Sequence, residues 1–247
     1  MNELEKDIEI ADLKRRLNKL EGKDENKIPT YSFAQIKLEE LETLVDIKKS
    51  FDDEPFDDWL NSNIDISSKD IAFLQNLILR YAKFMKSYNE ETLKANFIIP
   101  VINRVDFLSK DMEIAPFYEK VITYKSDRFI FNGATDFLVS RGLEYSRRPY
   151  FFIQEFKKGK VNSDPEPQLL AELISAVELN GDLSMKGAYI VGESWNFVIL
   201  EKLEVDRYRY FVSPNFDSTK IEDLKGIYKN LIFIKNEIIE KVKRENR

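Results

Sequence analysis

The chain has 247 residues, 43% of them hydrophobic and 33% charged, with only 8 Gly and 8 Pro. Length and composition suit one sizeable folded domain with an extension and exclude collagen-like and low-complexity chains. Zero Cys and zero His remove disulfides, thiolate zinc sites and every mechanism that needs an imidazole base or ligand, while a net charge of −6 argues against coating nucleic acid by bulk electrostatics.

No run approaches the roughly 20 apolar residues of a membrane span, and the acidic start lacks the pattern of a signal peptide. A cytoplasmic protein that does not engage a membrane is expected. In chain order, Ile10, Leu13, Leu17 and Leu20 give residues 1–22 a coiled-coil-like spacing, suited to self-association or to packing on its own domain. Residues 22–30 read as a linker and residues 30–88 as a helical accessory region. One helix is predicted from Ser32 to Lys49, with Ile36, Leu38, Leu41, Leu44, Val45 and Ile47 as its apolar residues. Another opens at Ser67, where Ser67 and Asp70 approximate a capping box.

Residues 89–215 are predicted to form the core. A helix starts near Asn89, with Glu90 and Glu91 in its first turn and a kink at Pro100. The pattern then changes. Residues 119–124, 128–139, 150–157, 186–193, 196–203 and 206–213 are rich in Val, Ile, Tyr and Phe and read as strands. A helix from Pro167 to about Asn180, with Leu169, Leu170, Leu173, Ile174 and Val177 as its stripe, separates the third strand from the fourth. Residues 216–247 form a long C-terminal helix opening near Thr219, which closes the domain or binds a partner.

The chemistry lies on two of these strands. Side chains alternate along a strand, so Glu155 and Lys157 share a face with Ile153 while Phe156 points away. Asp136 stands in the preceding strand, three residues after Gly133. If the two strands pair, Asp136 and Glu155 converge, and two carboxylates with a backbone carbonyl suit Mg²⁺ or Mn²⁺. A lysine beside such an ion can orient or deprotonate an attacking water. An isolated Glu-X-Lys is common and weak by itself. Its weight here comes from the order of a Gly-x-x-Asp strand, the Ile153–Lys157 strand and then a helix carrying Gln168.

That order resembles the PD-(D/E)XK nuclease superfamily and, within it, the nuclease domain at the N-terminus of type I restriction motor subunits, over residues 89–213. Glu90 stands about ten residues before Pro100, and Lys94 sits where an Arg is common. Asp136 matches the acid of the motif, though Thr135 replaces the usual Pro before it. Glu155, Lys157 and Gln168 match the remaining positions, and residues 187–195 are similar to that branch's next hairpin with an altered turn.

The resemblance implies an α+β (α/β/α) fold: a restriction-endonuclease-like mixed central sheet flanked by helices, with a helical N-terminal extension and a long C-terminal helix. It implies Mg²⁺-dependent phosphodiester hydrolysis of nucleic acid, DNA before RNA, by an endonuclease of a bacterial defence or mobile-element system. Asp136, Glu155 and the Phe156 carbonyl would hold Mg²⁺, with Mn²⁺ able to substitute. Lys157 would position the nucleophilic water, and Gln168 would contact the scissile phosphate or the lysine. Glu90, or Glu91 in its place, would bind a metal-coordinated water or a second ion; the plainer role of Glu90 is an acid favoured by the helix dipole.

No Walker-type Gly-Lys-Ser/Thr loop is present, so any ATP dependence would come from a partner. A homodimer or a partner protein held by the N-terminal helix is expected. Lys157, Lys158 and Lys160, Arg141, Arg147 and Arg148, and Lys241, Lys243 and Arg244 form three basic clusters. Tyr145, Tyr150 and Trp195 are read as core in preference to base-stacking platforms. Two other readings remain: a nuclease-like fold without catalysis that serves assembly through its terminal helices, and an unrelated α+β domain with surface ion pairs.

Overall fold

The computed structural model describes residues 28–157 and 164–246. The coiled-coil-like segment 1–22, Lys158 and Lys160 lie outside the described residues. Strands β1 (Thr30–Ser32) and β2 (Asp46–Ser50) flank helix α1 (Leu38–Leu44). Helices α2 (Asp57–Leu60), α3 (Ser68–Tyr81), α4 (Glu90–Leu93) and α5 (Ile99–Val105) follow, the last two joined by a π-helical turn, Lys94–Ile98. Then come β3 (Ile114–Lys125), β4 (Ile130–Arg141), β5 (Arg147–Lys157), α6 (Pro165–Asn180), β6 (Ser184–Val191), β7 (Ser194–Glu204), β8 (Arg207–Val212), the two-residue β9 (Phe216–Asp217) and α7 (Ile221–Glu245).

The strands form one mixed sheet in the order β1-β4-β5-β6-β7-β8-β2, with β3 added on β4 and β9 on β7. The pairs β1·β4, β5·β6 and β2·β8 are parallel and the others antiparallel. The period-two alternation of β5 sorts its side chains between two cores. Phe152 and Phe156 join a core with α3, α5 and α7, whereas Ile153 joins one with α1 and α6. Helices therefore cover both faces of the sheet. Among the described residues no helix is long and apolar enough to cross a membrane.

The six strands and the three helices predicted from residue 89 onward are all present, with ends shifted by a few residues. Ser67 caps α3 by accepting the Asp70 N–H at 3.2 Å, and Asn89 caps α4 by accepting the Thr92 N–H at 2.8 Å. Pro100 is preceded by the π-helical turn, because its missing N–H and its ring interrupt the regular α ladder. Helix α6 begins at Pro165 behind an Asp164 cap, two residues before the predicted start. Its stripe was expected to consist of Leu169, Leu170, Leu173, Ile174 and Val177. In fact nearly every residue from Pro165 to Val177 is buried, because α6 packs on β5 and β6 and is itself overlaid by α1 and the segment around Phe33.

Residues 30–88 are not simply helical. The helix expected from Ser32 to Lys49 resolves into β1, a 3-10 turn, α1 and β2. Ile36, Leu41, Val45 and Ile47 are buried as expected, but Val45 is already extended and Ile47 alternates with exposed neighbours in a strand parallel to β8. β-Branched residues fit that pleated edge better than a helix. This segment thus supplies both ends of the sheet path.

Close packing between β6 and α6 rests on Gly187. A Cβ there would stand 2.9 Å from the Ile153 carbonyl oxygen and 3.0 Å from Leu173 Cδ2. Gly187→Val is therefore expected to lower unfolding free energy by about 1–3 kcal/mol through overpacking, measured as a fall in the urea midpoint.

Candidate active site

The site forms where β4 loses its partner. β5 pairs with β4 from Arg141↔Arg147 to Phe137↔Gln154, and β1 pairs with the same strand over Ile130–Asn132. Between these ladders, residues 133–136 have neither neighbour on that edge. Asp136 fills the break: its Oδ2 accepts the Phe156 N–H at 2.8 Å, a bond that replaces the missing ladder. Asp136 shares a face with Leu138, and Glu155 with Ile153; both apolar residues belong to the core beneath α6. The two acids are thus side by side, as the sequence reading required.

Glu155 is only 1% exposed. Its Oε1 lies 2.5 Å from Lys157 Nζ, and its Oε2 is buried without a hydrogen-bond partner. Burial pushes the Glu155 carboxyl up to about 8, and the Asp136 carboxylate adds to the rise while Lys157 opposes it. For Lys157, burial disfavours the charge, but Glu155 outweighs burial and the net shift is upward.

A second lysine faces the other side of Asp136. Lys94, 6% exposed, places Nζ 2.9 Å from Asp136 Oδ1, 3.2 Å from Glu90 Oε1 and 3.7 Å from Glu91 Oε1. Burial works against its charge, yet Asp136 and Glu90 more than compensate and hold its pKa above the ordinary lysine value. The ammonium also stands 5.6 Å from the centre of the Phe156 ring. Glu90 therefore meets the site through Lys94, and Glu91 is a weaker second partner of the same lysine.

Gln168 is buried at the site's α6 wall, but its partner is one not foreseen: Nε2 donates to Glu172 Oε1 at 3.1 Å, one helical turn on. Glu172 is fully buried, and burial first, then Glu155, raises its pKa well above the usual carboxylate range. Its Oε2, like that of Glu155, is buried without a partner. A further acid comes from β3. Glu119 stands opposite Asp136 in register, between the pairs Tyr118↔Phe137 and Lys120↔Thr135, with a left-handed φ of 50°. That backbone costs about 1–2 kcal/mol for a residue with a Cβ. Burial and then Asp136 raise the Glu119 carboxyl.

Sequence reasoning missed Glu119 and Glu172 and noted Lys94 only as a substitute. An acid four residues after Gln168 on an otherwise apolar helix is a visible signal for Glu172; nothing in the alternation of β3 singles out Glu119. The other expectations settle simply. Trp195 is fully buried core, whereas Tyr145 lies outside the strands and is 68% exposed. Arg147, Arg148 and Lys241 line one cleft with Asp182 and Glu245. Along β5 that cleft is roughly 26 Å from Glu155, eight residues at about 3.3 Å each. A cleft of about 680 Å³, lined by Tyr150, Met185, Phe233 and Lys241 among others, holds none of the clustered acids.

No protein-family model matches the sequence, and no curated protein matches it. The chemistry of the donor set must therefore be judged on this chain alone. Among the described residues no three or more Asp and Glu side chains form a ready metal cage. Two carboxylates and a carbonyl nevertheless fit a hard divalent ion that keeps several waters. The orphaned Glu155 Oε2 is an available oxygen in a buried place, and each Asp136 oxygen retains a second lone pair beyond its present bond.

Proposed function

We propose that this chain is a divalent-metal-dependent phosphodiesterase with a restriction-endonuclease-like core, acting on nucleic acid and on DNA first. The observation that carries the reading is the placement of Asp136 beside Glu155 just past the end of the β4–β5 ladder, with Lys157 Nζ 2.5 Å from Glu155 Oε1. The resemblance of the Asp136, Glu155, Lys157 and Gln168 pattern to PD-(D/E)XK nucleases supports it. Asp136, Glu155 and the Phe156 carbonyl are the groups that would hold Mg²⁺ or Mn²⁺. Such an ion supplies Lewis-acid stabilisation of the charge that develops on a phosphodiester.

The chain's own residues do the rest. Lys157 carries its ammonium at the mouth of the buried pair, where it can hold a water and orient it toward phosphorus. Asp136 fixes the Phe156 peptide and so the direction of the neighbouring carbonyl. Glu172 turns the Gln168 amide along the α6 wall, which makes Gln168 a support for the Glu155 pocket before it is a phosphate contact.

The test is cleavage of supercoiled plasmid, single-stranded DNA and RNA, with Mg²⁺, Mn²⁺ or EDTA, by wild type and Lys157→Ala. Metal-dependent cutting by wild type, lost by roughly 10²-fold or more in Lys157→Ala, is the expected result. No cutting of any of the three, together with no Mn²⁺ binding by calorimetry, would sink the hydrolytic reading and favour an assembly role.

A further inference from the structure

Lys94 is not placed as an ordinary ion-pairing lysine. Its ammonium is buried, it bridges α4 and β4, and it meets Asp136 through the oxygen that does not take the Phe156 N–H. Glu90 Oε1 at 3.2 Å and Glu91 Oε1 at 3.7 Å complete a cluster that also faces Glu119. The π-helical turn that begins at Lys94 fixes this position: Leu93, Lys94, Phe97 and Ile98 all point inward from one short stretch of helix. Sites that use two divalent ions hold them about 3.5–4 Å apart, commonly across a shared carboxylate. Here Asp136 is the carboxylate that could be shared, and a lysine already occupies one side of it.

We propose that Lys94 is the built-in second cation of the active site, its ammonium standing among Asp136, Glu90 and Glu91 where a second divalent ion would otherwise bind. The inference rests on the metal-dependent reading above. It makes the site a one-ion site by construction: the first ion sits with Asp136 and Glu155, and the second positive charge is covalently part of the π-helical turn that follows α4. Removing the ammonium takes away the cation that Asp136, Glu90 and Glu91 share. Carboxylate oxygens are the ligand type that Mg²⁺ and Mn²⁺ prefer.

The experiment is a Mn²⁺ titration of the full chain by calorimetry and by the loss of the free-ion electron paramagnetic resonance signal. Wild type is expected to bind one ion per chain, Lys94→Ala two, and Lys94→Arg one again. Lys94→Met, which keeps the buried stem, serves in place of Lys94→Ala should that variant lose its circular dichroism spectrum. Two ions in wild type, or one ion in both wild type and the charge-removed variant, overturns the inference and leaves the metal-dependent reading intact. No ion in wild type overturns that reading itself, and the built-in cation with it.

Discussion

Glu155→Gln is expected to lose cleavage by at least roughly 10²-fold and at the same time to make the folded chain more stable above neutral pH. The carboxyl is 1% exposed, has an unpartnered oxygen and is raised to about 8 by burial and by Asp136. A carboxyl raised in the folded state binds its proton more tightly there than in the unfolded chain. The stability it contributes is complete below its unfolded value, near 4.5, and is lost as pH rises through about 8. Glutamine has the same shape and nothing to ionise, so the variant escapes that loss. One pKa unit corresponds to about 1.4 kcal/mol, and forfeiting the Lys157 ion pair offsets part of the gain. A net stabilisation of about 2 kcal/mol near pH 9 and little difference near pH 4.5 follow. Urea denaturation across that range, without divalent ions, measures it. A variant less stable than wild type at pH 9 would mean that the buried carboxylate is a net structural support instead of a group held ready for a ligand.

The largest stability effect is expected at Trp59. The ring is 1% exposed, and its centroid lies 5.8 Å from that of Phe56, 5.1 Å from Phe197 and 6.4 Å from Phe233. Its Nε1–H donates to the Asn230 carbonyl at 3.1 Å. Helix α2 is thereby joined to β7 and to α7 at once. Trp59→Ala removes the ring, leaves a cavity and takes from the Asn230 carbonyl the donor it has beyond the helix ladder, and should cost about 3–5 kcal/mol. Because Trp59 belongs to the same core as Phe137, Phe152 and Trp195, the loss should lower one cooperative transition. With 2 Trp in the chain, Trp195 remains as a fluorescence probe of that transition. An early step visible by circular dichroism but silent at Trp195 would instead show that residues 30–88 unfold as a unit of their own.

The residues legible in the sequence were those whose placement is local. Alternation along β5 assigns Glu155 and Lys157 to one face regardless of what lies opposite, and the caps at Ser67 and Asn89 are set within three residues. Residues whose role depends on a distant neighbour were hidden. Val45 and Ile47 suit a helix stripe until β8 offers a parallel edge. Glu119 looks like an exposed strand residue until its backbone turns left-handed beside Asp136. Lys94 reads as a surface lysine after two acids, and only its reach of 42 positions to Asp136 gives it a second meaning. Glu172 lay in plain view as an acid on an apolar helix. What it neighbours, the buried Glu155, was set by the packing of α6 on the sheet.

The central claim, that Asp136 and Glu155 form a divalent-ion site at the broken ladder, is tested most directly by anomalous scattering from crystals of the wild-type chain soaked in Mn²⁺. One anomalous peak within about 2–2.5 Å of oxygens from both Asp136 and Glu155 is the result expected from metal–oxygen distances. A peak bound only by surface acids elsewhere, or none between these two carboxylates at saturating Mn²⁺, would contradict it.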